Sequence, residues 1–318
     1  MSDTSGNKVH AVTGAFGFSG QYIARRLLEQ GKRVVNLTGT PERPDLFAGQ
    51  VETRLFHFHD TAAMTEALRD VAVLYNTYWV RFNHADFSHV RAVRNSLVLF
   101  EAAKAAGVDR IVHISITNAN PASPLEYFNA KGQLEKALKS FGVSHAVVRP
   151  ALLFGPGDIL INNTAWVLRR FPVFCLFGDG SYHVRPIHVD DLAAIMVEQG
   201  THRENTLINA LGPEGFTWRE LVSMLADILG RQPRLIKLSP EIGFWAARVM
   251  GKLVGDVLVT REEISGLMAG LLDVPGAPST GTIRLSDWAR ASQSTLGAKY
   301  HSELDRRNLR DQVPRHKT

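Results

Sequence analysis

The chain has almost no cysteine, no long apolar run and no block of like charge. A single cysteine, Cys175, stands among 318 residues, which excludes an internal disulfide and a cysteine-rich secreted scaffold. No stretch of about 18 apolar residues occurs, and the polar start at 1–6 lacks the apolar core of a secretory signal. We therefore expect a globular cytoplasmic protein, with Cys175 as a buried thiol inside the apolar segment 173–177.

Charge of either sign is also moderate. The chain has 36 Lys and Arg against 31 Asp and Glu, which gives a formal net charge of +5 at pH 7. The basic residues are scattered and form no helix interleaved with aromatic residues, so the sequence argues against nucleic-acid binding. The histidine pairs 57/59 and 84/89 lack a metal-site spacing, and no metal is expected. A small-molecule partner, such as an anionic ligand, fits this composition best.

What the sequence does contain is a glycine-rich turn directly after its first apolar strand. Three glycines spaced three apart follow the strand, and a helical pattern begins at Gln21. The first glycine permits a tight turn, the second allows the backbone to approach a pyrophosphate, and the third lets the helix pack closely on the strand. Free N–H groups at the helix start attract phosphate. The residues of this turn that we assign to a nucleotide site are Gly14, Phe16, Gly17, Phe18 and Gly20.

Apolar strand patterns alternate with helical patterns through the first half of the chain. Strands are predicted at 8–13, 33–38, 54–58, 71–76, 109–115 and 144–149. This alternation predicts an α/β fold with a doubly wound parallel sheet, a Rossmann fold. Helical patterns near 160–171, 217–230, 240–258, 260–270 and 285–306 predict a smaller, mostly helical C-terminal region. We expect a dinucleotide-binding core at 8–155, with 184–210 folding back onto it, and a substrate or cap region at 156–318.

Two residues with acid and base chemistry lie four apart at the start of a predicted helix. Tyr127 and Lys131 therefore share one helix face. An ammonium beside a phenol lowers the phenol pKa, so Tyr127 could exchange a proton with an alcohol or carbonyl while a cofactor exchanges a hydride. Ser115 and Thr117 add hydroxyl groups at the end of the fifth strand, where the cofactor crevice is expected.

These motifs, together with Arg149-Pro150 and the segment 188–191, resemble the extended or atypical branch of the short-chain dehydrogenase/reductases. The similar groups are the NAD-dependent epimerase/dehydratases, the NmrA-like proteins and the accessory subunit of respiratory complex I that shares this fold. The resemblance covers roughly residues 8–210. It implies that Tyr127 is the catalytic tyrosine, that Lys131 binds ribose and lowers the phenol pKa, and that Thr117 or Ser115 binds the substrate oxygen. The further cofactor contacts that it implies are Asp60, Asn76, Arg149 and Pro150.

Bulky residues follow the fourth strand where this family carries small ones. Tyr78 and Trp79, with Phe154, are predicted to line a narrow aromatic pocket. The sequence thus predicts an NAD(P)(H)-dependent oxidoreductase that acts on a carbonyl or alcohol of a small, partly apolar substrate. The same bulk, and the short gap before Tyr127, leave open a non-catalytic NAD(P)-binding regulator or accessory subunit of a larger assembly. A nucleotide-sugar epimerase or dehydratase is a further alternative, disfavoured because Arg185 directly precedes a proline.

The choice of cofactor depends on the end of the second strand. Thr38 stands where an NAD-dependent enzyme usually places an acidic residue, and Thr40 and Arg43 follow it. A 2′-phosphate would find hydroxyl groups and a guanidinium there, and no carboxylate at Thr38 to repel it. The sequence therefore favours NADP(H) over NAD(H).

The segment 244–256 predicts a helix with a wide apolar surface and a polar stripe of Arg248, Lys252 and Asp256. We interpret the apolar surface as packing on the core or on a second subunit, which leaves a homodimer open. Contact with a membrane surface is the less favoured interpretation. The pair Asp190-Asp191 is interpreted as capping the helix that follows it.

Overall fold

The computed structural model describes residues 8–39, 44–84 and 87–308. In chain order the elements are β1 (Val9–Thr13), α1 (Gly20–Glu29), β2 (Val34–Thr38), β3 (Val51–Leu55), α2 (Thr61–Ala67), β4 (Val71–Asn76), α3 (His89–Ala105), β5 (Arg110–Ile114), α4 (Glu126–Phe141), β6 (Ser144–Pro150), β7 (Leu153–Phe154), α5 (Leu160–Arg170), β8 (Val173–Phe177), β9 (His183–Val184), β10 (Ile187–His188), α6 (Val189–Gln199), β11 (Thr206–Ala210), β12 (Phe216–Thr217), α7 (Trp218–Ile228), β13 (Arg234–Leu238), α8 (Pro240–Val254), α9 (Arg261–Met268), α10 (Leu285–Ala291) and α11 (Glu303–Asn308).

The sheet confirms the predicted doubly wound fold. Seven strands lie in the order β11-β6-β5-β4-β1-β2-β3, and β1 to β6 pair in parallel. The strand order reverses between β1 and β4, which is the point where open α/β sheets bind ligands outside the carboxyl ends of their strands. One prediction was misplaced: the third strand is Val51–Leu55 rather than 54–58, because the chain turns at His57, whose carbonyl accepts the Asp60 N–H at 2.9 Å.

The chain divides into two compact units. Unit 1 comprises Met1–Pro150 and Leu192–Asn209, and unit 2 comprises Ala151–Asp191 and Ala210–Thr318. The expected core differs from unit 1 at its edges, since 151–155, 184–191 and Ala210 belong to unit 2. In unit 1 apolar side chains of the sheet and its helices form one buried cluster that includes Leu74, Phe100 and Leu134. That cluster holds the strand ends described below in place.

Unit 2 is less purely helical than the sequence predicts. Three two-stranded sheets, β10-β7, β12-β9 and β13-β8, accompany its helices. The helix expected at 285–306 is two short helices, α10 and α11, joined by turns. Gly297 lies between them with φ of 71°, and a Cβ there would lie 2.5 Å from the Ala165 carbonyl carbon. This close approach to α5 requires a glycine and interrupts the helix.

Cys175 corrects another expectation, because the thiol is exposed rather than buried. It lies in β8, where burial alternates along the strand and Phe174 and Leu176 take the inward positions. Side chains of a strand point alternately to opposite faces, so the residue between two buried neighbours faces outward. The apolar segment 173–177 was interpreted as buried along its whole length. That interpretation suits a central strand covered on both faces, whereas β8 belongs to a two-stranded sheet with one exposed face.

Candidate functional site

The first βα turn carries the glycine motif in a close strand-to-helix connection. Gly14 has φ of 67°, a left-handed value that glycine adopts without strain. A Cβ at Gly20 would lie 2.1 Å from the Gly14 carbonyl oxygen, so only glycine lets α1 begin this near the turn. Ser19 makes no side-chain cap to α1, and the first turn contains no acidic residue. A helix start of this kind presents N–H donors and the positive end of its dipole to an anion.

Asn36 fixes the turn and was missed by the sequence reasoning. Its side-chain oxygen accepts the Ala15 N–H at 2.8 Å, and its amide donates to Thr53 Oγ1 at 3.4 Å. Asn36 is buried within β2. A polar amide inside the apolar run 34–37 was the available signal, since a buried amide must find hydrogen-bond partners. It aligns the backbone that would face a pyrophosphate.

Asn76 lies at the end of β4 within a buried polar network. Its oxygen accepts from Thr13 Oγ1 and from the Tyr78 N–H, both at 3.1 Å, while its amide nitrogen lies 3.0 Å from His113 Nδ1. Burial, with a smaller effect from the Lys131 ammonium, holds the His113 pKa well below its ordinary value. The His113 ring is therefore neutral and can accept from the Asn76 amide. These contacts position the β4 loop, and the direct cofactor contact that the resemblance implies for Asn76 stays a prediction.

Tyr127 and Lys131 meet a third residue, Trp79. The Trp79 ring lies edge-on to Tyr127, with centroids 5.7 Å apart, and the Lys131 ammonium lies 4.1 Å from the Trp79 ring centroid. Lys131 also donates to the Ile114 carbonyl at 2.7 Å. Burial lowers the Lys131 pKa to about 7, which the Glu135 carboxylate partly opposes. A lysine with a pKa near 7, one helical turn after a tyrosine, is suited to proton exchange.

Of the two residues with candidate hydroxyl groups, Ser115 is hydrogen-bonded to Glu135 and Thr117 is buried. Ser115 donates to Glu135, a buried carboxylate that also accepts from Arg149 Nε at 2.8 Å and Nη2 at 2.5 Å. Arg149 therefore forms an ion pair with Glu135, and its assignment as a cofactor contact stays a prediction. Thr117 is fully buried, and its N–H donates to the Pro150 carbonyl at 3.0 Å. The sequence reasoning did not single out Glu135, although its place one helical turn after Lys131 puts both residues on one face.

The remaining predicted cofactor residues are divided between the turn and the strand ends. Phe16 and Phe18 are half-buried, with their rings 6.0 Å from Phe47 and 6.5 Å from Tyr22. Thr38 ends β2 and is half-buried, and its carbonyl accepts the Phe56 N–H at 3.2 Å. Arg43 and Thr40 lie outside the residues that the structure describes. Phe16 and Phe18 belong to the glycine turn, and Thr38 ends the strand that pairs in parallel with β1.

Three further assignments are changed by their contacts. Asp60 caps α2 by accepting the Ala63 N–H at 2.9 Å, so one carboxylate oxygen serves that helix. Phe154 is fully buried in the core of unit 2, with its ring 5.1 Å from His188, and does not line an open pocket. Asp191 lies in the first turn of α6, and its carboxylate accepts the N–H groups of Thr282 and Ile283 at 2.9 and 2.8 Å.

Tyr78 follows Asn76 in the β4 loop and remains half-buried. Its hydroxyl accepts from the Asn95 amide at 2.8 Å, and its ring lies 4.7 Å from that of Phe58. Phe58 and Asn95 border a cavity of about 420 Å³ at the carboxyl ends of β2 and β3. Four residues that can carry positive charge line this cavity, and no carboxylate is among its described lining residues; the four are His57, His59, Arg91 and Arg94.

Known proteins give the same assignment for this part of the chain. Residues 14–165 match the model of a family described as NAD(P)H-binding. The chain is 28% identical over 247 residues, 72% of its length, to NADH dehydrogenase (ubiquinone) 1 alpha subcomplex subunit 9, mitochondrial, of Arabidopsis thaliana, and the match spans 60% of that protein. It is 29% identical over 254 residues to the ceramide reductase of Caulobacter vibrioides, which covers 77% of each protein.

Solved structures resemble this protein over nearly the whole chain. The NADPH-dependent quinone oxidoreductase QOR2 of Escherichia coli, solved with NADPH, has a TM-score of 0.70 at 21% identity and covers 95% of this chain and 99% of its own. At this sequence identity the structural similarity shows a shared fold and nothing further. The resemblance drawn from the motifs is confirmed: residues 14–165 match the model of the NAD(P)H-binding family, and the chain has the fold of NAD(P)-binding reductases and epimerases.

Proposed function

We propose that this chain is an NADP(H)-dependent oxidoreductase acting on the carbonyl or alcohol group of a small, partly apolar substrate. One observation carries the proposal: buried Lys131 lies one helical turn after Tyr127, beside the carbonyl that ends β5. The ends of β4 and β5 lie on the same sheet edge as the glycine turn, because the strands are parallel neighbours. A dinucleotide held by that turn would supply or accept the hydride.

In this proposal Tyr127 donates a proton to the developing alkoxide, or removes one from the alcohol. The Lys131 ammonium favours the phenolate form of Tyr127 by charge. The Trp79 ring excludes water from Lys131, which strengthens the interaction between the two groups. Tyr78 and Trp79 supply the apolar wall that would select a partly apolar substrate. Asn36 and Asn76 act as positioning residues for the turn and the β4 loop.

The preference for NADP(H) is supported by the basic cavity beside β2 and β3. A 2′-phosphate carries negative charge that Arg91 and Arg94 could pair with, whereas a ribose diol would gain little from them. Titrating the protein with NADPH and NADH by calorimetry tests this part. We expect tighter NADPH binding, and Arg94→Gln should weaken NADPH by roughly tenfold while leaving NADH nearly unchanged. Tighter NADH binding by the unmodified protein would contradict the preference.

A second candidate function is an NAD(P)-binding accessory or regulatory protein without turnover. Three contacts favour it: Lys131 already donates to Ile114, the Ser115 hydroxyl is bonded to Glu135, and Thr117 is enclosed. The Arabidopsis relative is named as a mitochondrial subunit, so the expected cytoplasmic location stays a prediction. A nucleotide-sugar enzyme is less supported, because the Arg185 guanidinium is bonded to the carbonyls of Gly212 and Ala277.

Turnover separates the two candidates. The protein is incubated with NADPH and a panel of aldehydes and ketones, and NADPH oxidation is followed by absorbance. We expect Tyr127→Phe to lose turnover by about 100-fold or more while keeping its NADPH affinity. Tyr182→Phe is the matched control, because the buried Tyr182 hydroxyl has no hydrogen-bond partner among the described residues and its loss should leave activity intact.

Two results would overturn the catalytic proposal. Full activity in Tyr127→Phe would remove Tyr127 from its role. Tight NADPH binding with no turnover of any carbonyl in the panel would favour the accessory function.

A further inference from the structure

The helix α8 in unit 2 carries an apolar stripe that faces outward. Ile242, Trp245, Val249 and Leu253 are 59%, 53%, 61% and 77% exposed. Their spacing of three and four residues places them along one side of the helix. The expectation that this surface packs on the core is wrong for these four residues, which we call the α8 stripe.

The opposite side of α8 already satisfies the packing needs of unit 2. Gly243 and Gly251 are buried there, and a Cβ on them would lie 2.6 Å from the Phe177 ring and from the Asp256 carbonyl oxygen. Small residues thus let α8 lie close on β8 and on the turn that follows the helix. The α8 stripe is consequently a second apolar surface that the unit's own fold does not require.

Positive charge borders the stripe. The Arg248 guanidinium lies 5.3 Å from the Trp245 ring centroid, and Arg261 at the start of α9 lies 4.2 Å from the Phe244 ring centroid. Lys252 is exposed one helical turn after Arg248. Within α8 the only acidic residue is Glu241, in the first turn. The pattern combines apolar side chains, a partly exposed tryptophan and three cations on one side of the unit.

We propose that the α8 stripe docks on the surface of an anionic lipid bilayer, with α8 parallel to the membrane plane. Apolar side chains with a tryptophan insert at the boundary between headgroups and acyl chains, and flanking cations pair with anionic headgroups. A second copy of this chain fits less well, because a twofold contact would bring the same cations together. Among the described residues, no helix is long and apolar enough to cross a bilayer. The proposal concerns a surface contact and is independent of the proposed oxidoreductase function.

Vesicle co-sedimentation of the full chain tests the proposal. Vesicles of phosphatidylcholine with roughly one third phosphatidylglycerol are compared with vesicles of phosphatidylcholine alone. We expect binding to the anionic vesicles, and a loss of at least tenfold in the partition coefficient for the double variant Val249→Glu with Leu253→Glu. Val90→Glu is the matched control, since Val90 is 72% exposed on α3 in unit 1 and should leave binding unchanged.

A charge variant and the oligomeric state complete the test. Lys252→Glu should weaken binding to the anionic vesicles several-fold, while NADPH affinity stays the same. Equal binding by the double variant would overturn the proposal, as would absence of binding to anionic vesicles. A dimer in light scattering that the double variant converts to monomer, without vesicle binding, would assign the stripe to a second copy instead.

Discussion

The two units use buried polar side chains in different ways. In unit 1 Asn36 in β2 bonds to the turn that connects β1 to α1, Asn76 ends β4, and Lys131 on α4 donates to the carbonyl that ends β5. In unit 2 the carboxylates of Asp191 and Asp256 each accept backbone N–H groups from remote segments, at 282–283 and at 303–304. Unit 1 thus places several buried polar groups near the carboxyl ends of its strands, whereas unit 2 uses single carboxylates to hold distant segments.

The largest expected effect on stability comes from adding a side-chain carbon at Gly20, where α1 lies close to the glycine turn. Gly20→Ala places a Cβ 2.1 Å from the Gly14 carbonyl oxygen, so the turn or the helix must move. We expect the free energy of unfolding to fall by about 3 kcal/mol, measured by urea denaturation. Gly215→Ala in unit 2 is the control, because nothing lies within 4 Å of the added Cβ. Equal stability of the two variants would show that the turn is not tightly packed.

A pair of variants tests whether the buried polar side chains of unit 1, but not those of unit 2, contribute to NADPH binding. Asn36→Ala leaves the Ala15 N–H without its partner, and Asp191→Ala leaves the N–H groups of Thr282 and Ile283 without theirs. Each change should cost about 2 kcal/mol of unfolding free energy, because buried donors lose their acceptors. Only Asn36→Ala should also weaken NADPH binding, by roughly tenfold in calorimetry. A similar loss of NADPH affinity in Asp191→Ala would break the comparison.

The buried lysine of unit 1 predicts a dependence of stability on pH. Burial lowers the Lys131 pKa to about 7 from its ordinary 10.5, so between these values the unfolded chain holds a proton that the folded chain lacks. Stability contributed through this group therefore rises with pH across that window, by up to about 1.4 kcal/mol per pH unit. Lys131→Met should remove the rise in urea denaturation at pH 7, 8 and 9.

Asp158, a buried carboxylate of unit 2, sets the lowest pH at which the change in stability can be assigned to Lys131. Burial raises the Asp158 pKa to about 7, against the hydrogen bonds that its carboxylate accepts from α5. Between about pH 4 and 7 the folded chain holds a proton on Asp158 that the unfolded chain has released. The contribution of Asp158 to the free energy of unfolding therefore falls as the pH rises through this range. Above pH 7 the change belongs mainly to Lys131. An unchanged slope in Lys131→Met would contradict the account of its burial.

The smallest effect is expected at Cys175. Cys175→Ser should change the unfolding free energy by less than about 0.5 kcal/mol, because the side chain faces outward. The thiol should react with Ellman's reagent without denaturant, and faster at higher pH because the thiolate is the reactive form. Partial burial raises the Cys175 pKa, which moves this increase to higher pH. Reaction only after denaturation would restore the interpretation as a buried thiol.

The same contrast explains what could be predicted from the sequence. Local signals were sufficient to predict unit 1, namely the alternation of strands and helices and the glycine spacing after β1. Unit 2 depends on contacts between remote segments, such as Gly297 against α5 and Asp191 with Thr282, and no local pattern encodes them. Phe154 was misjudged for this reason, since burial depends on neighbours that the chain supplies elsewhere.

Within the candidate site, residue types were easier to predict than partners. The Tyr127 and Lys131 pair follows from helical spacing, and it lies on α4 as expected. Ser115 and Arg149 were given roles toward ligands, but both are bonded to Glu135. A hydroxyl or guanidinium beside a buried carboxylate pairs with it, because an unpaired buried charge is costly. That competition appears only once the helix and strands are assembled.

Calorimetric titration of the unmodified protein with NADPH tests the central claim most directly. The account predicts one NADPH bound per chain, an affinity retained in Gly215→Ala, and its loss by roughly 100-fold or more in Gly20→Ala at a temperature where that variant is folded. No heat of binding with any adenine dinucleotide, or equal affinity in the two glycine variants, would contradict the claim that this turn holds the cofactor.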